Sequence, residues 1–215
     1  MTLPRQFSDS QVKIILAAER LFANASIDSV SLREIAAQAD QRNNYAVQYH
    51  FGSREGLVDA IFTYRMLQME EMRGQMLAEA ERQDQLHSLR ALLNMVFLPQ
   101  FAIKDDNGNN SYANFLCQFL LRRRFTEFGD FGVPSPPNLD RVLKLLRVRL
   151  GFLPTAAAQR RLISASLVFL NILVTYDKKD ASAPEEESFE QALNDTMRQI
   201  EVAISMPLAY GEPTA

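Results

Sequence analysis

The sequence predicts an all-helical protein, with a three-helix unit at its N-terminus followed by a larger helical body. Apolar residues recur three and four positions apart through most of the chain, which is the spacing that places them on one face of a helix. Serines that can cap helices and clusters of Asn, Asp, Gly and Pro separate these segments. We find no strand pattern, repeat or low-complexity tract. The expected boundary divides the chain into residues 1–52 and 53–215.

Length and composition fit a protein that folds without cross-links. With 215 residues, 47% of them hydrophobic, the chain can bury one large core or two domains of about 100 residues each. One cysteine, Cys117, excludes an internal disulfide framework and fits a reducing compartment. No opening segment joins a basic end to an apolar run, and no apolar run approaches the roughly 18 residues of a membrane span. We therefore expect a cytoplasmic protein without a membrane segment.

The same composition argues against catalysis. The chain holds two histidines, His50 and His87, a lone cysteine and no glycine loop that could cradle a phosphate. Neither a nucleophile triad nor a metal cluster can be assembled from these residues by spacing. We expect no enzyme activity, no catalytic residue, no metal and no cofactor.

Three short helices are expected before residue 52. Ser8 or Ser10 can cap the first helix, which should end near residues 24–26. Its inward residues are Ile14, Ala17, Ala18, Leu21 and Phe22. Ser31 can accept a hydrogen bond from the Glu34 backbone N–H while the Glu34 side chain reaches back, so a second helix begins at Ser31. Its apolar stripe consists of Leu32, Ile35, Ala36 and Ala39.

A polar turn over residues 40–44 leads to a third helix, which completes a helix-turn-helix. Val47 and His50 should point inward, so Asn44, Gln48 and the two tyrosines Tyr45 and Tyr49 should point outward. Amides and phenols can bond base edges and phosphate oxygens. The expected DNA-binding residues are Arg42, Asn43, Asn44, Tyr45, Gln48 and Tyr49. A solvated surface helix is the alternative for this pattern.

The charge of the N-terminal unit gives no support to DNA binding. Five basic and five acidic residues cancel up to residue 52, whereas DNA-binding domains usually have a basic excess. Any basic surface must therefore come from the placement of residues. Arg42 and, with a weaker argument, Lys13 are expected to contact phosphates.

The N-terminal unit resembles that of TetR-type transcriptional regulators. The resemblance rests on residues 14–22, on the Ser-Leu-Arg-Glu-Ile-Ala segment 31–36 and on residues 49–57, Tyr-His-Phe-Gly-Ser-Arg-Glu-Gly-Leu. It implies an all-helical homodimer whose body holds a small-molecule ligand that loosens DNA binding. The sequence departs from the family pattern in two places, and both affect which operator sequence is expected. The turn lacks the usual glycine and has an extra residue, and Gln48 stands where the family often has tyrosine.

The body is expected to consist of six helices. The first should be one long helix over residues 53–82 that connects the two units. Pro99 should kink or end the second helix. Residues 104–111 should form a turn and residues 127–137 a loop. The remaining predicted helices span 86–103, 112–125, 138–150, 156–176 and 185–206.

Apolar side chains of the body could line a pocket for a small apolar ligand, although most should be ordinary core. Asn94 or Gln118 could orient such a ligand. The expected ligand-binding residues are Met66, Met69, Asn94, Phe97, Phe101, Phe115, Gln118 and Phe119.

These expectations combine into one functional hypothesis and one alternative. The protein should be a ligand-responsive repressor that binds palindromic double-stranded DNA as a homodimer, joined through its last two helices. The ligand would favour a body conformation in which the two heads are wrongly spaced. The alternative is a helical protein-interaction or small-molecule-binding protein whose N-terminal unit does not bind DNA. The salt dependence of DNA binding separates the two.

Overall fold

The computed structural model describes residues 6–122, 128–177 and 187–208, and every regular element in these ranges is a helix. The prediction of an all-helical fold is confirmed. A short 3₁₀ helix, Leu98–Ala102, follows the sixth α-helix. The α-helices are α1 Asp9–Asn24, α2 Leu32–Gln38, α3 Ala46–Phe51, α4 Arg54–Gln68, α5 Glu70–Arg82, α6 Leu89–Phe97, α7 Ser111–Arg122, α8 Pro137–Arg149, α9 Thr155–Asp177 and α10 Phe189–Ser205.

Serine caps start α1, α2 and α4 where the sequence predicted them. Ser8 caps α1 in a reciprocal capping box with Gln11, and Ser53 accepts from the Gly56 N–H at the start of α4. Ser31 accepts from the Glu34 N–H at 3.1 Å. The expected return bond from the Glu34 side chain is not among the bonds of this cap. One satisfied donor is nevertheless enough to fix the start of a seven-residue helix.

The prediction of one continuous helix over residues 53–82 is wrong, because Met69 interrupts it between α4 and α5. The interruption coincides with polar residues that are buried rather than exposed, namely Arg65, Glu70 and Arg73. The Asn138 side-chain amide donates to the Glu70 carbonyl at 3.2 Å. The connector is therefore two helices joined at Met69.

The remaining body helices agree with prediction to within a few residues. Pro99 ends α6, and the 3₁₀ helix replaces the predicted continuation to residue 103. The last helix begins at Phe189 under a Ser188–Gln191 capping box. The acidic start predicted for this helix is only partly visible, since Glu185 and Glu186 lie outside the described residues. Residues 123–125, predicted to continue the helix that begins near residue 112, also lie outside them.

Helices α9 and α10 pair within the subunit and bury most of the apolar residues expected to join two subunits. The buried set includes Leu162, Phe169, Leu173, Met197, Ile200 and Ile204. The argument that one subunit cannot cover these residues is therefore wrong. Within the described residues, Thr155–Tyr176 is the one segment long and apolar enough to cross a membrane. Helix α9 packs against α7 and α10 here, and a core helix meets the same criterion.

The N-terminal helices and the body share one hydrophobic core. Helix α1 packs along α7, and Phe22 of α1 stacks on Phe115 of α7 with ring centroids 6.2 Å apart. Arg54 donates to the carbonyls of Ile27 and Val30 and so fixes the loop between α1 and α2 onto the start of α4. The boundary between the two units at residue 52 stays a prediction, and α1 packs both on α2 before it and on α4 and α7 after it.

Candidate functional site

The turn between α2 and α3 is held by backbone bonds rather than by a glycine. The Gln41 N–H donates to the Ala36 carbonyl at 2.9 Å, and the Asp40 N–H donates to the Ala37 carbonyl at 3.1 Å. This pair of bonds is a Schellman motif, which requires a left-handed residue after the helix end. Asp40 takes that conformation, with φ +53°. Gln41 then ties the turn to α1, because its Oε1 accepts from the Ser10 hydroxyl at 3.0 Å.

Helix α3 is shorter than predicted and begins after Asn44. The Asn43 side-chain oxygen accepts from the Tyr45 N–H at 2.9 Å, and the Asn43 carbonyl accepts from the Ala46 N–H at 3.0 Å. Asn43 therefore opens the turn that nucleates the helix, and Tyr45 is the N-cap residue. The interpretation of Asn44 as a residue on the helix face is corrected: it lies in the turn before the helix.

Ala46 and Val47 are buried and fix which side of α3 faces outward. Tyr49 is the most exposed of the chain's described aromatic side chains, at 82%, and Tyr45 is 66% exposed. His50 is only half-buried, in ring contact with Tyr49 and Phe51. All six predicted DNA-binding residues are exposed on or just before α3: Arg42, Asn43, Asn44, Tyr45, Gln48 and Tyr49. They form one surface, which we call the α3 surface.

The α3 surface includes one exposed cation, Arg42, which lies in the turn before α3. Two further cations of the N-terminal helices, Lys13 on α1 and Arg33 on α2, are exposed as well. A turn-borne arginine beside an exposed amide and two phenols combines a phosphate contact with groups that can bond base edges.

A buried ion pair links α1 to the body. Arg65 of α4 donates from Nε and Nη2 to the two carboxylate oxygens of Glu19 in α1, at 2.6 and 2.7 Å. The Ser111 hydroxyl of α7 donates to Glu19 Oε1 at 2.5 Å. Burial lowers the pKa of Arg65, but the hydrogen bonds and charge of Glu19 outweigh burial and raise that pKa above its ordinary value. The three helices that join the head to the body therefore meet at one satisfied charge pair.

The body contains a cavity of about 60 Å³ between α4, α5, α6, α7, α8 and α9. Its lining is mainly apolar, with four polar side chains among the residues. The residues that line the cavity are Met66, Met69, Arg73, Val96, Gln100, Tyr112, Leu116, Leu120, Phe128, Gly129, Phe131, Leu139, Leu143, Ile163 and Ser166.

Two of the eight residues predicted to bind a ligand, Met66 and Met69, line this cavity. The phenylalanines Phe97, Phe115 and Phe119 are buried but do not line it. Phe101 is 42% exposed and stacks on Phe189. Asn94 lines a surface groove between α5 and α6, and Gln118 is half-buried away from the cavity.

The sequence pattern did not predict the polar residues of the cavity. Arg73, Gln100, Tyr112 and Ser166 supply them. Burial lowers the pKa of Arg73, and burial together with the charge of Glu19 raises the pKa of Tyr112. Helical spacing could have found Arg73, since it follows Met66 and Met69 on the same face of α4 and α5. Among the described residues, no group of three or more His, Cys, Asp or Glu side chains could hold a metal ion.

Comparison with known proteins identifies the N-terminal helices. A family model described as bacterial regulatory proteins, tetR family, matches residues 14–61, which run from α1 into α4. No curated protein matches the chain. The matched segment contains the helix-turn-helix and the α3 surface, and members of this family are DNA-binding transcription regulators. The N-terminal helices therefore form a helix-turn-helix domain of the tetR family, and the protein is a DNA-binding transcriptional regulator.

Proposed function

We propose that the protein is a ligand-responsive repressor that binds a palindromic operator as a homodimer in the cytoplasm. The observation that carries this proposal is the α3 surface, where two tyrosines are exposed at 66% and 82% beside exposed amide side chains. Aromatic side chains are costly to leave in water, so this exposure favours a surface that a partner covers.

Individual contacts follow from the position of each side chain. Gln48 lies on α3 and can bond adenine N6 and N7 as a pair in a major groove. Tyr45 and Tyr49 can bond phosphates or pack on thymine methyl groups. Arg42 lies in the preceding turn and acts as a phosphate contact, and Asn44 can reach a base edge or a phosphate from the same turn. Asn43 acts mainly by holding the helix start, because its side-chain oxygen already accepts from Tyr45.

The homodimer proposal rests on the outer surface of α9 and α10. Two grooves between these helices have volumes of about 530 and 210 Å³, and Val168 lines both of them. Val168 is 44% exposed, and Ala203 of α10, which lines the second groove, is exposed as well. A second copy that packs its own α9 and α10 here would bury these residues in a two-fold contact.

The ligand response is proposed to pass from the cavity to the head through α7. Tyr112 lines the cavity, and its neighbour Ser111 bonds Glu19 in α1. A ligand that binds better to a shifted α7 would also shift α1 and change the spacing of the two heads. The described cavity is small, at about 60 Å³, compared with roughly 300–1,000 Å³ for pockets of drug-sized ligands. The ligand is therefore either small or enters with displacement of the Phe128–Phe131 segment.

Selection of bound sites from random double-stranded DNA by the purified full-length protein tests this function. The proposal predicts a palindrome whose half-sites lie about 34 Å or a multiple apart, and binding that weakens steeply with salt. Recovery of no preferred site, together with salt-independent binding, would favour the protein-interaction alternative. A repeat of the selection with cell metabolites present tests release by a ligand.

A further inference from the structure

Two residues that line the cavity, Arg73 and Gln100, have buried polar atoms without a hydrogen-bond partner among the described residues. Arg73 is 1% exposed and donates from Nε to the Met95 carbonyl at 3.1 Å, while its Nη1 atom makes no hydrogen bond within the described residues. Gln100 donates weakly from Nε2 to the Val96 carbonyl at 3.4 Å, and its buried Oε1 has no hydrogen-bond partner there either. Buried groups of this kind are nearly always paired, so these two atoms indicate a missing partner.

The charges around Arg73 determine what that partner can be. Glu70 Oε2 lies 3.5 Å from Arg73 Nη1, which balances the charge without the geometry of a hydrogen bond. A carboxylate in the cavity would add an uncompensated negative charge, and an ammonium group would face the guanidinium. Both are costly in a buried site. A neutral group that accepts from Arg73 and donates to Gln100 has neither cost, and a hydroxyl is the simplest such group.

The rest of the cavity sets the size and polarity of the ligand. Met66, Met69, Leu116 and Leu120 supply apolar surface around the two polar residues. A water-sized group needs about 10–15 Å³ of such space, so a cavity of about 60 Å³ admits roughly four to six non-hydrogen atoms.

We propose that the cavity binds a small neutral alcohol, whose hydroxyl group hydrogen-bonds Arg73 and Gln100 and whose hydrocarbon part packs on the methionine and leucine side chains. This inference rests on the proposed function, since it names the class of ligand to which the regulator responds.

The test uses full-length protein labelled with ¹³C at the methionine methyl groups. Each of 1-butanol, n-pentane, butyrate and butylammonium is titrated while the methyl signals are followed by NMR. Met66 and Met69 report on the cavity, and Met72 and Met206 are exposed reference signals. We expect 1-butanol to shift the two cavity signals at the lowest concentration, with n-pentane weaker and the two ions without effect.

Two variants separate the polar contact from simple filling of space. Gln100→Leu removes the unpaired acceptor and should weaken 1-butanol about two- to tenfold while n-pentane binds at least as well as before. Asn94→Leu is the matched control on the same stretch of chain, since Asn94 lines the outer groove between α5 and α6. It should change neither titration.

Binding of butyrate or butylammonium that is tighter than binding of 1-butanol would overturn the proposal. Met66 and Met69 signals that do not shift with 1-butanol would also overturn it, as would a Gln100→Leu variant that binds 1-butanol and n-pentane like the wild type.

A DNA titration on the same samples separates this inference from the proposed function. DNA binding without alcohol binding refutes the alcohol site and leaves the regulator. Alcohol binding by a protein that selects no DNA site leaves the cavity and refutes the operator-binding role.

Discussion

Removal of Glu19 should destabilise the protein far more than removal of an equivalent surface carboxylate. Both partners of the Glu19–Arg65 pair are buried, with side chains 0% and 3% exposed, and two charge-assisted hydrogen bonds join them. The Glu19→Leu variant leaves the Arg65 charge buried without its counter-ion and leaves the Ser111 hydroxyl without its acceptor. Breaking a buried pair in this way costs about 3–5 kcal/mol. The free energy of unfolding should fall by that amount.

Urea denaturation at a fixed protomer concentration measures this loss, because the stability of an oligomer depends on concentration. The control is Glu81→Leu, whose partner Arg141 and own side chain are both nearly half exposed; it should cost less than about 1 kcal/mol. The double variant Glu19→Leu with Arg65→Met should cost much less than the sum of the two single changes. A Glu19→Leu loss below about 1 kcal/mol at an unchanged m-value, or additive single effects, would refute the structural role of the pair.

Three further predictions follow from separate parts of the molecule. Asp40→Gly should raise the free energy of unfolding by about 0.5–1 kcal/mol, because glycine relieves the left-handed strain at φ +53° by more than it gains in freedom in the unfolded chain. Asp84→Gly, at the same φ, should give the same gain in thermal denaturation. A loss of stability in both variants would contradict the strain argument. Burial raises the pKa of Cys117 from 9.0 to about 11, so the rate of iodoacetamide alkylation of the folded protein should still be rising through pH 10. The free energy of unfolding should fall between about pH 9 and 11, where only the unfolded chain loses the thiol proton. A half-maximal alkylation rate near pH 9 would disprove this shift. Val168→Glu should convert a dimer into a species near the 24.4 kDa chain mass in sedimentation, whereas Val148→Glu, on the 81% exposed surface of α8, should not; an unchanged dimer would place the subunit contact elsewhere.

Most helices could be predicted from the sequence, because the residues that start and end a helix act locally. Ser31, Ser53 and Pro99 each act on their own segment, and the predicted helix ends near them lie within a few residues of the observed ones. The break at Met69 was not predictable in this way, since it accompanies the contact between Glu70 and Asn138, which are distant in the sequence. Burial of Arg65 has the same origin, because its partner Glu19 and the Ser111 hydroxyl that also bonds Glu19 are distant from it in the sequence.

The sequence predicted which residues form the α3 surface but not its exact geometry. The apolar pattern predicts that Ala46 and Val47 are buried, and this burial leaves the six predicted residues exposed. The position of Asn44 depends on the hydrogen bond that Asn43 makes to Tyr45, which the pattern does not specify. The cavity lining depends on six helices at once, and of the residues predicted to bind a ligand only Met66 and Met69 lie in it.

The central claim is that the α3 surface reads DNA, and a titration of the selected DNA site with Gln48→Ala and Arg42→Ala tests it most directly. Gln48→Ala should lose about 1–3 kcal/mol on the preferred site and relax the preference at one base pair, because an amide contact to a base edge is removed. Arg42→Ala should weaken binding to all sequences alike and reduce the salt slope by about one. The control is Gln75→Ala, an exposed glutamine on α5, which should bind like the wild type. If Gln48→Ala and Arg42→Ala are folded and bind the site with the affinity, preference and salt slope of this control, the α3 surface does not contact DNA and the account is contradicted.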